Sequence, residues 1–208
     1  MAIIKQGILG GFKKKIGSVV GSSWKGIATM RSLPLSVANP KTAAQVSNRD
    51  RFKACAEFAS LILASIIKPL MDRFAGQMSG YNYFTKLNKE IWANPLSPTW
   101  ANLIISRGKM IAPVLTEVLM GESGGEFSAK TTPEDRYGLP TDKLYALVVD
   151  KTNGNVLFSG DTGTVRTSQI VDVQFTQETS TGDNAIVYAA FLRADGSEVS
   201  NTGTGQNA

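Results

Sequence analysis

Histidine is absent from this chain of 208 residues, and cysteine occurs once, at Cys55. Without histidine the chain cannot hold a Ser-His-Asp or Cys-His nucleophile arrangement, and it lacks the commonest general acid and base. A single thiol allows no internal disulfide and supplies too few ligands for a zinc site. Because Cys55 falls within an apolar helical pattern, we expect it to be a buried core residue.

Long hydrophobic runs are also missing. The longest candidate, Phe58 to Ile67, is about half of what a helix needs to cross a bilayer and ends at Lys68-Pro69. The first ten residues lack the long apolar run and small-residue cleavage site of a secretory signal. The sequence therefore predicts a soluble protein that is made in the cytoplasm and has no membrane partner.

The charges are distributed unevenly along the chain. Residues 1–110 hold 16 Lys and Arg against 4 Asp and Glu, whereas residues 111–208 hold 6 against 13. Complementary fields steer association, so such opposed halves indicate either nucleic-acid contact by the basic part or head-to-tail pairing between copies. Composition leaves both interpretations open.

The first 38 residues form a glycine-rich basic arm. Short β-prone pieces at Ile16–Val20 and Ile27–Leu33 predict strands between glycine turns, and no phosphate-binding glycine loop is present. A helical region with following strands is expected over residues 39–120. Asn39-Pro40 is a typical helix start, and an apolar stripe continues to about Leu70 with a bend expected near Pro69.

A second helix is predicted from Gly80 to Trp92, with Ser79 as its cap. Its aromatic residues, like the apolar stripe before them, suit core packing or a partner surface, and near lysines the aromatics could also stack on bases. Strands are expected at Trp100–Ser106 and Ala112–Met120, before the glycine-rich run at 121–126.

Residues 127–201 have the pattern of a sheet. Four β-rich runs, separated by turns such as Asn153-Gly154 and Asp195-Gly196, predict a small antiparallel β-sandwich of immunoglobulin-like type. The runs are Leu144–Val149, Val156–Ser159, Ile170–Phe175 and Ala185–Leu192. With a flexible tail over residues 202–208, the predicted class is α+β.

Acidic residues suggest no catalytic, cofactor or metal site. Glu134 with Asp135, and Asp142 with Asp150, are spaced as loop charges rather than as the opposed carboxylates of a hydrolase. The loop that begins at Asp150 lacks the twelve-residue calcium pattern and is better explained as a turn. We therefore expect no enzyme, no cofactor and no small-molecule substrate.

Cations are the candidate contact residues. A run of three lysines in the arm could bind phosphates, bind an acidic protein surface, or be a solvated turn. The candidate set, which includes neighbouring cations, is Lys13, Lys14, Lys15, Lys25, Arg31, Arg49, Arg51 and Lys53.

Several motifs resemble those of one uncharacterised family. They are Ile4-Lys-Gln-Gly-Ile-Leu-Gly-Gly-Phe, Lys15-Ile-Gly-Ser-Val-Val-Gly-Ser-Ser-Trp-Lys-Gly, Met30-Arg-Ser-Leu-Pro, Asn39-Pro-Lys-Thr-Ala-Ala-Gln, Ile105-Ser-Arg-Gly-Lys-Met and Val187-Tyr-Ala-Ala-Phe-Leu-Arg-Ala-Asp-Gly-Ser-Glu-Val-Ser-Asn. The chain thereby resembles domain of unknown function 6266, which is common in Bacteroidota genomes and their phages. It departs from that pattern after the last predicted strand, where Asn201-Thr-Gly-Thr-Gly-Gln replaces a Ser-Asn-Ser-containing strand extension that ends in aromatic and glycine residues.

The resemblance implies no enzymatic activity. It implies a structural or adaptor component of a phage or phage-derived virion, made in the bacterial cytoplasm and assembled in several copies with other virion proteins. The alternative is a nucleic-acid-binding protein that uses the basic half.

Overall fold

In a computed structural model of the chain, residues 3–4, 12–120, 124–130, 135–166, 170–174 and 184–206 are described. The chain divides into two units, residues 1–46 and 47–208. Helices and three antiparallel sheets confirm the predicted mixed α+β class. Residues 121–123 of the glycine-rich run, Glu134, and the last two residues of the predicted tail lie outside the described ranges.

In the described residues of the N-terminal unit, four strands form one antiparallel sheet. Its strands are β1 (Ile3–Ile4), β2 (Phe12–Ile16), β3 (Val19–Trp24) and β4 (Ile27–Ser32), paired in sequence order. The predicted strand Ile16–Val20 is wrong, because the chain reverses inside it. Gly17 has a φ of +56°, which glycine adopts without steric cost, so Ile16 pairs with Val19 across a tight turn.

The first helix, α1 (Ala43–Leu61), begins later than expected, and its first turn belongs to the N-terminal unit. The Thr42 hydroxyl accepts a hydrogen bond from the Gln45 amide at 3.4 Å, so Thr42 rather than Asn39 is the cap. Thr42 supplies an acceptor directly before the first helical residue, which the N–H groups of the first turn require.

The helix then bends by 69° between Leu61 and Leu63. A π-helical turn at Leu63–Ile67, in which the Ile67 amide donates to the Ile62 carbonyl at 3.1 Å, leads into α2 (Lys68–Met71). The expected bend at Pro69 is therefore displaced to the preceding turn. Proline has no N–H to donate to the carbonyl four residues earlier, so the helical hydrogen-bond pattern changes in the residues before it.

No single helix in the described ranges has the length and apolar composition of a membrane span. Only the bent pair Ala43–Leu61 and Leu63–Met71 meets that composition test, and it does so as a pair.

The next helix, α3 (Gly80–Asn88), confirms Ser79 as its cap, because the Ser79 hydroxyl accepts from the Asn82 amide at 3.2 Å. It ends at Asn88 rather than Trp92. The predicted strand Trp100–Ser106 is wrong, because a short 3₁₀ turn covers Trp100–Asn102. The Asn88 side chain then bonds both the amide and the carbonyl of Ile104 at 2.8 Å, which satisfies groups that a neighbouring strand would otherwise pair.

In the described residues of the second unit, seven strands form two sheets. They are β5 (Val114–Met120), β6 (Gly124–Lys130), β7 (Lys143–Asp150), β8 (Val156–Val165), β9 (Ile170–Gln174), β10 (Ala185–Leu192) and β11 (Gly203–Gln206). One sheet has the order β11-β10-β7-β8 and the other β5-β6-β9. Gly154 and Gly196 take the expected positive φ at the predicted turns.

The C-terminal tail differs from expectation over Gly203–Gln206, which pair with β10. A Cβ on Gly203 would lie 2.1 Å from the Pro113 carbonyl oxygen, and one on Gly205 would lie 2.8 Å from the Leu115 Cβ. The two glycines therefore permit close approach of β11 to the Pro113–Leu115 segment. They do not make this part of the tail flexible.

The four-stranded sheet β11-β10-β7-β8 carries a hydrophobic core on each face. Ile186, Tyr188 and Leu147 pack with the helices, whereas Val187, Phe191 and side chains of β5 and β6 form a second cluster. Every residue of β10 is consequently buried. This double burial explains why its sequence is a continuous apolar run rather than an alternating one.

Candidate functional site

The N-terminal unit concentrates positive charge. Residues 1–46 contain seven Lys and Arg and no Asp or Glu, so the remaining 15 basic residues and all 17 acidic residues belong to residues 47–208. Five of the predicted contact residues belong to the N-terminal sheet and are exposed. They are Lys13, Lys14, Lys15, Lys25 and Arg31. With no carboxylate in its own unit, this surface has an electropositive field.

The strand register assigns the side chains of the sheet to two faces, because directly paired residues project to the same side. The pairs Ile16–Val19 and Gly21–Met30 belong to one face. We call this the apolar face, and its nonpolar members are Phe12, Ile16, Val19, Ala28 and Met30.

The opposite face is of mixed chemistry. It consists of three rows of residues that pair across the strands. Lys15, Val20 and Arg31 form the first row, Ser22 and Thr29 the second, and Trp24 and Ile27 the third. The hydroxyl oxygens of Ser22 and Thr29 lie 2.7 Å apart, which confirms that they share a side. We call this the mixed face; it combines two cations, two hydroxyl groups and an indole ring.

The Phe12 ring packs against Gly21 on the apolar face. A Cβ on Gly21 would lie 2.7 Å from two ring carbons of Phe12, so only glycine allows this contact. Away from it the nonpolar side chains are open to solvent: Met30 is 69% exposed and Ile16 is 42% exposed. The apolar face therefore presents hydrophobic surface that another layer could cover.

Two lysines of the sheet adopt strained backbone conformations. Lys14 has a φ of +77° and Lys25 a φ of +44°, and in the described part of the chain these are the non-glycine residues with positive φ. Lys25 and Gly26 occupy a two-residue hairpin turn in which asparagine or glycine fits the first position better. Strain of this kind is concentrated at binding and active sites. Lysine at both positions thus favours a functional role for the cations.

The other three predicted cations lie on α1, in the second unit. The Arg51 Nε donates to the Trp92 carbonyl at 3.3 Å, so this residue holds the chain after α3 in place. Lys53 lies 3.8 Å from Glu57 one helical turn away, and Arg49 is exposed. The predicted cation set is thus divided between two units, and Arg51 is a structural residue.

The aromatic residues of the predicted stacking helix are mainly core residues. Phe84 and Trp92 are buried, and Trp92 forms a cluster with Phe58 and Trp100 at centroid distances of 5.3 to 5.8 Å. Cys55 is buried beside them as expected, and burial raises the pKa of its thiol to about 11. These groups are not accessible to nucleic-acid bases or to a thiol-directed substrate.

A shallow cleft of about 330 Å³ lies over this aromatic cluster. Phe58, Trp92 and Trp100 line its base, and the exposed Leu61 and Leu96 stand at its rim. Sequence reasoning missed this cleft because its walls come from α1, the 92–98 segment and the 151–155 turn, which only folding brings together.

Two acidic residues expected as solvated loop charges are instead buried around Arg166. The Arg166 guanidinium lies 2.7 Å from Asp135 and 3.1 Å from Asp142, with no side chain of the three more than 8% exposed. The expectation of solvated charges is therefore wrong for this pair, because a distant arginine compensates both. Asp150 confirms the predicted turn by accepting from the Thr152 amide at 2.8 Å. Within the described ranges, no three His, Cys, Asp or Glu side chains are grouped as metal ligands.

Two of the recognised motifs meet in the fold. The Met110 amide donates to the Val199 carbonyl at 3.3 Å, and the Asn201 amide donates to the Met110 carbonyl at 3.1 Å. The Thr202 hydroxyl also accepts from the amides of Ile105 and Ser106, both at 3.0 Å. These hydrogen bonds hold the Ile105–Met110 segment against residues 199–202.

Comparison with known proteins identifies one family. The model of DUF6266, described as a family of unknown function, matches residues 11–204 of this chain. No curated protein and no solved structure matches the chain.

Proposed function

Because this chain belongs to DUF6266, a family without an assigned function, we propose its function from its own structure. The protein is a non-enzymatic structural or adaptor protein that assembles in several copies through its N-terminal sheet. The observation that carries this proposal is the exposed apolar face of that sheet, on which Ile16 and Met30 are open to solvent.

A small antiparallel sheet needs a partner layer to be stable. Such sheets normally cover at least one face with a second sheet or a helix, because hydrophobic burial supplies most of their stability. Full burial of a side chain such as Ile or Met contributes roughly 1.5–3 kcal/mol. Association over the apolar face would supply this missing burial.

The segment that follows β4 extends the same surface chemistry. Leu33, Leu35 and Val37 alternate along a stretch without regular structure, and Leu35 and Val37 are fully or largely exposed. Alternating nonpolar residues in an extended chain are what a neighbouring sheet edge or groove accepts. This segment supports assembly through the arm.

The second unit is the rigid platform in this proposal. Its two packed sheets share a core, and we propose that they form an immunoglobulin-like β-sandwich that presents the arm. The virion setting, with other virion proteins as partners, is motivated by the resemblance of the sequence motifs to a phage-associated family.

The test is light scattering coupled to size exclusion, over a concentration series, on the full chain and on a chain lacking residues 1–38. We expect the full chain to form a discrete, concentration-dependent oligomer and the shortened chain to remain a monomer. A full chain that stays monomeric at high concentration with a protease-resistant arm would contradict the proposal.

Two matched double variants test whether association depends on the apolar face or on any exposed nonpolar side chain. Ile16→Ser with Met30→Ser removes two exposed nonpolar side chains from the sheet, and we expect association to weaken at least tenfold. Leu61→Ser with Leu96→Ser removes two exposed nonpolar side chains at the cleft of the second unit. This control should associate as the unmodified chain does.

A further inference from the structure

We propose that the mixed face of the N-terminal sheet binds single-stranded nucleic acid. This inference goes beyond the proposed assembly, which uses the apolar face on the other side of the same strands. It rests on the row of Lys15, Val20 and Arg31, the hydroxyl row of Ser22 and Thr29, and the indole of Trp24.

The cations of this face suit a phosphate backbone. Lys15 and Arg31 flank Val20 in one register row, and both are exposed. The whole unit has seven cations and no carboxylate, so no acidic side chain of this unit competes with phosphate for them. Arginine and lysine contacts of this kind give sequence-independent binding to the strand backbone.

The aromatic group of this face suits an unpaired base. Trp24 is 57% exposed, and its cross-strand partner Ile27 is also exposed at the end of the hairpin. Trp24 lies four residues from Val20 along β3, which corresponds to roughly 13 Å in an extended strand. A base stacked on the indole therefore leaves space for a backbone that runs over the hydroxyl row to the two cations.

These features favour nucleic acid over an acidic protein, and a single strand over a duplex. Base stacking is contributed by aromatic side chains and occurs only where a base is unstacked from its neighbours. The major groove of duplex DNA admits an α-helix or a two-stranded β-ribbon, whereas this face spans the three strands β2, β3 and β4. The strained Lys25 beside Trp24 places a further cation where the strand would leave the hairpin.

Fluorescence anisotropy with a labelled oligothymidylate and a duplex of equal length tests the proposal on the full chain. We expect the single strand to bind more tightly than the duplex. Trp24→Ser should weaken single-strand binding about 5- to 150-fold, the range for loss of one base-stacking contact. Phe52→Ser is the control, because it removes an aromatic side chain of similar exposure, 59%, from the second unit.

The salt dependence isolates the phosphate contacts. Lys15→Gln with Arg31→Gln should reduce the slope of log K against log salt by about 1.4, since each phosphate contact with a single strand contributes about 0.7. Lys89→Gln with Lys109→Gln removes the same number of positive charges from exposed positions of the second unit. This control should leave the slope unchanged.

The proposal would be overturned by no binding at low salt, by equal binding of the single strand and the duplex, or by equal effects of Phe52→Ser and Trp24→Ser. Tighter binding to polyglutamate than to the oligonucleotide would identify an acidic protein as the occupant and would also overturn it. Light scattering on the same variants keeps the two proposals separate. Trp24→Ser should leave self-association intact, so loss of nucleic-acid binding with an intact oligomer would leave the assembly proposal standing.

Discussion

At the scale of single residues, Arg166 shows how a loop charge becomes part of the core. Its guanidinium contacts Asp135 and Asp142 and lies 4.2 Å from the centre of the Phe191 ring. We predict that Arg166→Met lowers the free energy of unfolding by about 3–5 kcal/mol, because it leaves two buried carboxylates without their cation.

Urea unfolding followed by circular dichroism measures this loss. The exposed Arg136 provides the control, and Arg136→Met should change the unfolding free energy by no more than about 0.5 kcal/mol. Equal effects of the two substitutions would show that the buried cluster does not stabilise the fold.

Gly154 and Gly163 form a second matched pair at this scale. Both have positive φ, +70° and +75°, but a Cβ on Gly154 would lie 3.0 Å from the Trp100 ring, whereas nothing lies within 4 Å of one on Gly163. Gly163→Ala should destabilise by roughly 1–2 kcal/mol through backbone strain alone. Gly154→Ala should cost more, because it adds a contact with a buried ring.

Thermal unfolding of both variants checks this order. The difference between the two melting temperatures reports the contact with Trp100. An order in which Gly163→Ala is the more destabilised variant would contradict the assigned packing at Gly154.

At the scale of elements, the β3–β4 hairpin has a turn residue that fits its conformation poorly. Lys25 adopts a φ of +44° in a two-residue turn, a conformation that asparagine tolerates well. We predict that Lys25→Asn stabilises the hairpin by about 1 kcal/mol, close to the strain that an L-residue carries there.

Hydrogen exchange of the β3 and β4 amides measures this gain. Lys41→Asn removes the same charge from a stretch without regular structure and should leave the exchange unchanged. Faster exchange in Lys25→Asn would show that the lysine itself supports the turn.

At the scale of the whole molecule, the two ends of the chain contribute differently to the second unit. Both hydrophobic clusters are built from residues between Cys55 and Val199, and β11 pairs with β10 beside them. We predict that removal of residues 1–38 shifts the melting temperature by less than about 2 °C, whereas removal of residues 203–208 lowers it by about 4 °C or more.

Differential scanning calorimetry of the two shortened chains is the measurement. A large loss of stability on removal of the arm would mean that the second unit depends on it. No loss on removal of the last residues would mean that the β11 pairing does not stabilise the sheet.

Local signals in the sequence were sufficient for several elements. The Ser79 cap, the Asn153-Gly154 turn and the apolar runs of β7 and β10 were predicted because capping hydroxyls, positive-φ glycines and nonpolar runs act on nearest neighbours. The predicted boundaries of helices and strands were wrong where a contact with a residue distant in the sequence determined them. The Asn88 amide, for example, binds Ile104 and replaces the predicted strand.

For the candidate site, the sequence by itself determined the concentration of cations and the absence of acidic residues in the first 46 positions, since charge is a property of composition. Only the tertiary structure decided which cations lie together on one face. Strand register places Lys15 and Arg31 on the face that carries Trp24, while Arg51 is tied to Trp92 in the second unit. The physical reason is that a side chain's neighbours across a sheet or a core are set by pairing between distant segments, which no local pattern specifies.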